Sequence, residues 1–153
     1  MSRILFNKEW VTEEIARAVP TTWGPCDISI GNADSDGMLM GGVIYKDFTR
    51  ESIRMSVASW DRRWLSHEML WVVFDYPFNQ LGVKRIFTMT PLNRPNVVHF
   101  NDKFGFKTIV ENVPGVYPGN VGVIIKCMER DDCRFLKLKS RQYKRNSSLL
   151  VTQ

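Results

Sequence analysis

Cysteine and histidine are scarce in this sequence. Cys26, Cys127 and Cys133 make an odd number with no C-x-x-C pair, and His67 and His99 are the only histidines. Neither a disulfide framework nor a zinc site is suggested, and no metal is expected. No apolar run approaches the roughly 20 residues that span a bilayer. The opening MSRILFNKEW lacks the apolar core and cleavage site of a signal peptide. The expectation is therefore a cytoplasmic protein with no membrane partner. Acid is absent from residues 133–153, which hold six basic side chains: Arg134, Lys137, Lys139, Arg141, Lys144 and Arg145. Without them, 15 basic residues face 16 acidic ones, so residues 1–132 carry a net charge of −1. A near-neutral body argues against a domain built mainly to grip nucleic acid. The positive charge points instead to a body over 1–135 and a basic tail over 136–153, either solvated or in contact with an acidic protein or nucleic acid.

What is present is a globular pattern, with 44% hydrophobic and 12% aromatic residues. Trp10, Ile15 and Val19 predict an amphipathic helix over Asn7–Val19, capped by Asn7 or Thr12 and stopped by Pro20. Alternation predicts an antiparallel meander across 27–60, with strands at Asp27–Gly31, Met38–Lys46 and Ile53–Trp60. Ser66 then caps a helix reaching Leu81, which Pro77 kinks or ends. A strand at Val83–Met89 and a helix at Val97–Phe104, stopped by Gly105, follow. Strands at Phe106–Glu111 and Val121–Met128 come last, joined by a loop NVPGVYPGN. Each strand–helix–strand passage implies a right-handed crossover between parallel neighbours. The fold class is α+β, with one mixed sheet.

Three stretches carry a family likeness. Phe78-Asn79-Gln80-Leu81-Gly82-Val83-Lys84-Arg85-Ile86, then Asn93 with Phe100 and Lys103-Phe104-Gly105-Phe106, resemble the second half of the GNAT superfamily of acyl-CoA-dependent N-acetyltransferases. The element order agrees. Cys127-Met128-Glu129-Arg130-Asp131-Asp132-Cys133 resembles the ending of a divergent acetyltransferase-like group common in bacteriophages, which would make the location host cytoplasm. The resemblance implies central parallel strands splayed apart, with flanking helices. Acetyl-CoA would be the cosubstrate and a small-molecule or protein amine the acceptor, with the protein a monomer or homodimer. Its pantetheine arm would pair with the splayed strand at Ser56, Val57, Ala58 and Ser59. Its diphosphate would sit on the loop 61–67, at Arg62, Arg63, Trp64, Leu65 and Ser66, beside a helix N-terminus.

The sequence departs from the family at that loop: read from Arg62, Leu65 and His67 stand in place of small residues, and read from Arg63, Ser66 and Glu68 do. Asn93 is implied on the cofactor arm. Asn101 stands where many members place the tyrosine that protonates the leaving thiolate, and an amide cannot supply that proton. The catalytic residues stay unassigned, because Asp61, Asp75, His99 and Glu111 each have a bland surface or helix-face reading. Trp60, Trp64, Trp71, Phe74, Phe78 and Phe87 are either an acceptor pocket or core. The alternative to an enzyme is a catalytically degenerate GNAT-like binding module, such as a viral accessory protein.

Overall fold

A computed structural model describes residues 3–19 and 21–138. A single seven-stranded mixed sheet runs in the order β1-β2-β3-β4-β5-β7-β6. The strands are β1 Arg3–Phe6, β2 Ile28–Ala33, β3 Leu39–Lys46, β4 Ser52–Ser59, β5 Arg85–Pro91, β6 Lys107–Tyr117 and β7 Val121–Glu129. The helices are α1 Glu9–Ala18, α2 His67–Asp75 and α3 Pro95–Phe104. Among the described residues no helix is long and apolar enough to cross a membrane.

The meander expected over 27–60 is present, with β2, β3 and β4 antiparallel in turn. β4 and β5 are parallel neighbours joined through α2. The second crossover differs from expectation. β5 and β6 are not neighbours, because β7 lies between them and pairs antiparallel with both. The strand pair β4–β5 is thus the sheet's one parallel contact among the described residues. Alternation and helix spacing predict the three helices and the strands from β2 onward, but neither β1 nor where the last strand inserts.

Two further differences have local causes. α1 turns Val11, Thr12 and Ile15 inward, leaving Trp10 43% exposed. Ile15 faces inward as expected, while Val11 and Thr12 take the place of Trp10, and Val19 is partly buried. Neither Asn7 nor Thr12 caps the helix. Asn7 has a positive φ of 52°, and the Thr12 hydroxyl shares a 2.7 Å hydrogen bond with Ser29 on β2. The stretch expected as the loop NVPGVYPGN continues β6 as far as Tyr117 with three register shifts, and only the turn before Val121 remains irregular.

α1 covers one face of the sheet, with Leu5, Val11, Ile15, Ala33, Ile44 and Ala58 in one cluster. α2 covers the other, packing Met69, Val72 and Phe74 over Val43, Ile53 and Met55. The Ser66 side chain caps α2 by accepting from the Met69 N–H. Pro77 ends regular α-geometry, and a π-turn follows over Tyr76–Gln80. Pro77 has no N–H to give the Val73 carbonyl four residues back. The Tyr45 hydroxyl of β3 donates to that carbonyl instead, at 2.5 Å. Arg130 anchors the far side of the turn by donating to the Phe78 carbonyl and to Asn79 Oδ1. The chain stays in the core past position 135. Phe135 stacks on Phe74 at 4.9 Å, and Leu136 and Leu138 pack against the same cluster. The rest of the basic tail, with its expected acidic or nucleic-acid contact, lies outside the described residues.

Candidate active site

The pairing of β4 with β5 is short: Ser52 with Arg85, Ile53 with Ile86, Arg54 with Phe87. Beyond Arg54 the strands part. β5 continues along β7 as far as Pro91, while β4 continues along β3 as far as Ser59. The edge of β4 from Met55 to Ser59 therefore faces an opening instead of a strand.

A groove fills this opening. At its deep end Arg54, Met55 and Ser56 face Thr88, Met89 and Thr90 across the wedge. Asn101 of α3 forms the floor there, 2% exposed. Its amide nitrogen donates to Thr90 Oγ1 at 3.2 Å and to Thr88 Oγ1 at 3.5 Å. Toward the other end the walls are Ala58 and Ser59 on one side and Asn96 and Phe100 on the other. Val57, Arg94 and Val97 line both ends. Thr21, after α1, and Tyr117, at the end of β6, also line this part of the groove. Arg94 ties the walls together by donating to the Ala18 carbonyl at 2.9 Å, one of the last carbonyls of α1. α3 is held down by an ion pair between Asp102 and Lys126 of β7, whose side chain is 2% exposed.

Ser56, Val57, Ala58, Ser59 and Asn101 thus converge on one groove. Asn93 does not line it. That side chain is exposed in the turn before α3, and the neighbouring Arg94 is the one that enters. The 61–67 loop leaves the end of β4 and folds over β3. Trp64 holds it there by lying on Gly41, where an added Cβ would come within 2.6 Å of the indole. Asn32 Nδ2 donates to the Trp64 carbonyl at 2.6 Å. Of the six aromatics that could form an acceptor pocket, Trp64, Trp71, Phe74 and Phe78 are core, and Trp60 is half exposed. None of the six lines the groove. Trp64 stacks on the lining residue Phe100, at 6.3 Å between ring centroids, and Phe87 pairs with Arg54 at the vertex.

The loop's own electrostatics are partly satisfied from within. Asp61 accepts from the Arg63 N–H at 2.9 Å and from Arg63 Nη2 at 2.7 Å. The Arg63 hydrogen bonds hold the Asp61 carboxyl down at about 2. A carboxylate thus already occupies one backbone donor and one guanidinium of the loop. Arg62 is exposed and makes no ion pair among the described residues.

No carboxylate or imidazole lines the groove among the described residues. Asp75 is buried and takes hydrogen bonds from Asn79 and Gln80, while His99 and Glu111 are exposed elsewhere. No group of three or more metal-ligating side chains gathers among the described residues. Arg54, Thr88, Thr90, Arg94 and Tyr117 escape sequence reasoning. Tyr117 alone carries a local signal, as an aromatic beside the Pro118-Gly119 turn. The others meet only because β4 and β5 separate.

No family model matches the chain, and no curated protein matches it in sequence. Solved structures match its fold. The spermidine/spermine N-acetyltransferase SpeG from Vibrio cholerae, in mutant forms, is 11% identical with a TM-score of 0.69 over 86% of this chain and 96% of its own. Spermidine N-acetyltransferase from the same organism, in complex with CoA and spermine, is 12% identical with a TM-score of 0.66 over 86% and 96%. A putative phosphinothricin N-acetyltransferase is 11% identical with a TM-score of 0.60 over 84% and 98%. This chain has the GNAT acyl-CoA N-acyltransferase fold. At such identities the likeness is one of fold.

Proposed function

We propose that this protein is an acetyl-CoA-dependent N-acetyltransferase that modifies a primary amine by direct attack within a ternary complex. The observation that carries the reading is the parting of β4 from β5 after Arg54, which leaves the Met55–Ser59 edge open beside a groove. An arm bearing two amides pairs with such an edge as an added strand does. The loop 61–67 and the N-terminus of α2 suit the diphosphate, through Arg62, Arg63 and Ser66. Acetyl-CoA supplies the thioester. The amine nitrogen bonds to the acetyl carbon, the carbon–sulfur bond breaks, and the ammonium's proton leaves through water, since no base lines the groove among the described residues. Tyr117 is the phenol suited to return a proton to the departing sulfur, the part Asn101 cannot play. Holding both reactants in one groove supplies much of the acceleration without a strong base.

A second reading is a non-catalytic module of the same fold. The Asp61–Arg63 contact favours it, because the loop already holds an anion of its own. Calorimetry with acetyl-CoA separates the two. Saturable binding and release of free thiol in the presence of amines support the enzyme. No heat of binding at millimolar acetyl-CoA would leave the second reading standing.

A further inference from the structure

Among the described residues the charged side chains lining the groove are both arginines, Arg54 and Arg94. Arg94 spends one nitrogen on the Ala18 carbonyl. Arg54 stands at the vertex of the wedge, where β4 and β5 part. Its Nε lies 3.2 Å from Asp47 Oδ2, on the rim, yet Nε makes no hydrogen bond despite being buried. Its Nη1 donates to the thioether sulfur of Met89 at 3.4 Å, a weak acceptor. A guanidinium is a rigid fork of donors that fits carboxylate or phosphate oxygens in pairs. Here that fork is under-used, with its Nε buried, and set at the vertex of the wedge, at the start of the open β4 edge. That is the end opposite the loop proposed for the diphosphate.

We propose that the acceptor amine carries an anionic group, a carboxylate or a phosphate, that docks on Arg54. This rests on the acetyltransferase reading and narrows its substrate class. A polyamine would bring further positive charge toward two guanidiniums with no lining carboxylate to receive it. An amine with an anionic group a few bonds away offers Arg54 the charge-assisted bonds that Asp47 and Met89 do not, and leaves the amine end pointing into the wedge. The hydroxyls of Thr88 and Thr90 remain near the reacting end.

The test uses matched amines: 4-aminobutyrate, butylamine and 1,4-diaminobutane, with phosphoethanolamine against ethanolamine to separate carboxylate from phosphate. Thiol release and direct calorimetric binding of each amine are measured on the full chain. The wild type is expected to prefer an anionic amine over its neutral match by about 10- to 100-fold in kcat/KM, the scale of hydrogen bonds to charged groups. Arg54→Gln should abolish that preference, Arg54→Lys should restore part of it, and acetyl-CoA affinity should stay unchanged in both. Asp47→Asn, which removes the rim carboxylate, should strengthen binding of the anionic amine.

Preference for the diamine, or an Arg54→Gln variant that keeps the discrimination, would overturn the proposal while leaving the acetyltransferase reading intact. An Arg54→Gln variant that loses acetyl-CoA instead would assign Arg54 to the cosubstrate and also overturn it. Arg54-dependent binding of the anionic amine without any acetyl transfer would uphold the anion seat and sink the enzyme. Absence of both binding and transfer would remove both.

Discussion

Arg54 and Arg63 each stand beside an aspartate, and the two pairs behave differently. Arg63 lies in solvent, 73% exposed, and grips both oxygens of Asp61 two residues away. Arg54 is 27% exposed, and its aspartate approaches Nε without a hydrogen bond. Neighbours in sequence can satisfy an arginine on a turn, because the backbone brings them together. The groove arginine is placed by strand topology, and the nearby chain has no acid that engages its whole fork. The loop is therefore closed on itself, while the groove keeps capacity for a ligand.

The largest expected effect breaks the groove and spares the loop. Asp102→Ala leaves the Lys126 ammonium buried without its partner. The expected loss is about 2–3 kcal/mol, below the usual range for breaking a buried pair because Asp102 is half exposed. Urea unfolding measures it. Lys126→Met should cost less, since it leaves no buried charge behind. Equal costs would show that the pair does not hold α3 down.

The next breaks the loop and spares the groove. Gly41→Ala drives a methyl group into the Trp64 ring, at an expected cost of about 1–3 kcal/mol. Acetyl-CoA affinity should fall with it, while binding of the test amines holds. A variant that melts like the wild type would mean that Trp64 does not fix the loop on β3.

Smaller again is Asp61→Asn, which frees Arg63 and should tighten acetyl-CoA by about two- to fivefold, the scale of an exposed ion pair. Weaker binding would place the diphosphate elsewhere. The smallest effect is a pH dependence. The Asp61 carboxyl is depressed from its ordinary value of 3.8 to about 2. Its contact with Arg63 therefore contributes fully above pH 3.8 and fades as pH falls through about 2. From about pH 5 to neutrality the thermal-stability difference between wild type and Asp61→Asn should be flat. A slope within that window would implicate another group.

Much of the fold is legible because period-two and helical stripes are properties of short segments. β1 is not, since RILF is only four residues and is recognisable as a strand through its pairing with β2. β6 runs past its expected end because Pro114 and Gly115 look like a turn, whereas β7 tolerates them through shifts of register. Ser56, Val57, Ala58 and Ser59 can be placed on the open edge by analogy of order. Arg54, Arg94 and Tyr117 cannot, because their meeting depends on where strands separate and on β7 inserting between β5 and β6. No local spacing encodes that convergence.

The phenol that Tyr45 lends to the Val73 carbonyl has a consequence for how the molecule opens. Ordinarily the last turn of a helix frays by itself and exchanges its amide protons early. Here the carbonyl that Pro77 leaves unserved is answered from β3, by a side chain 1% exposed. Loosening the end of α2 therefore means withdrawing Tyr45 from between the sheet and the helix. In hydrogen exchange the end of α2 and the C-terminal end of β3 should protect and release together, as one cooperative unit. Tyr45→Phe should uncouple them, so that the helix end exchanges ahead of the strand.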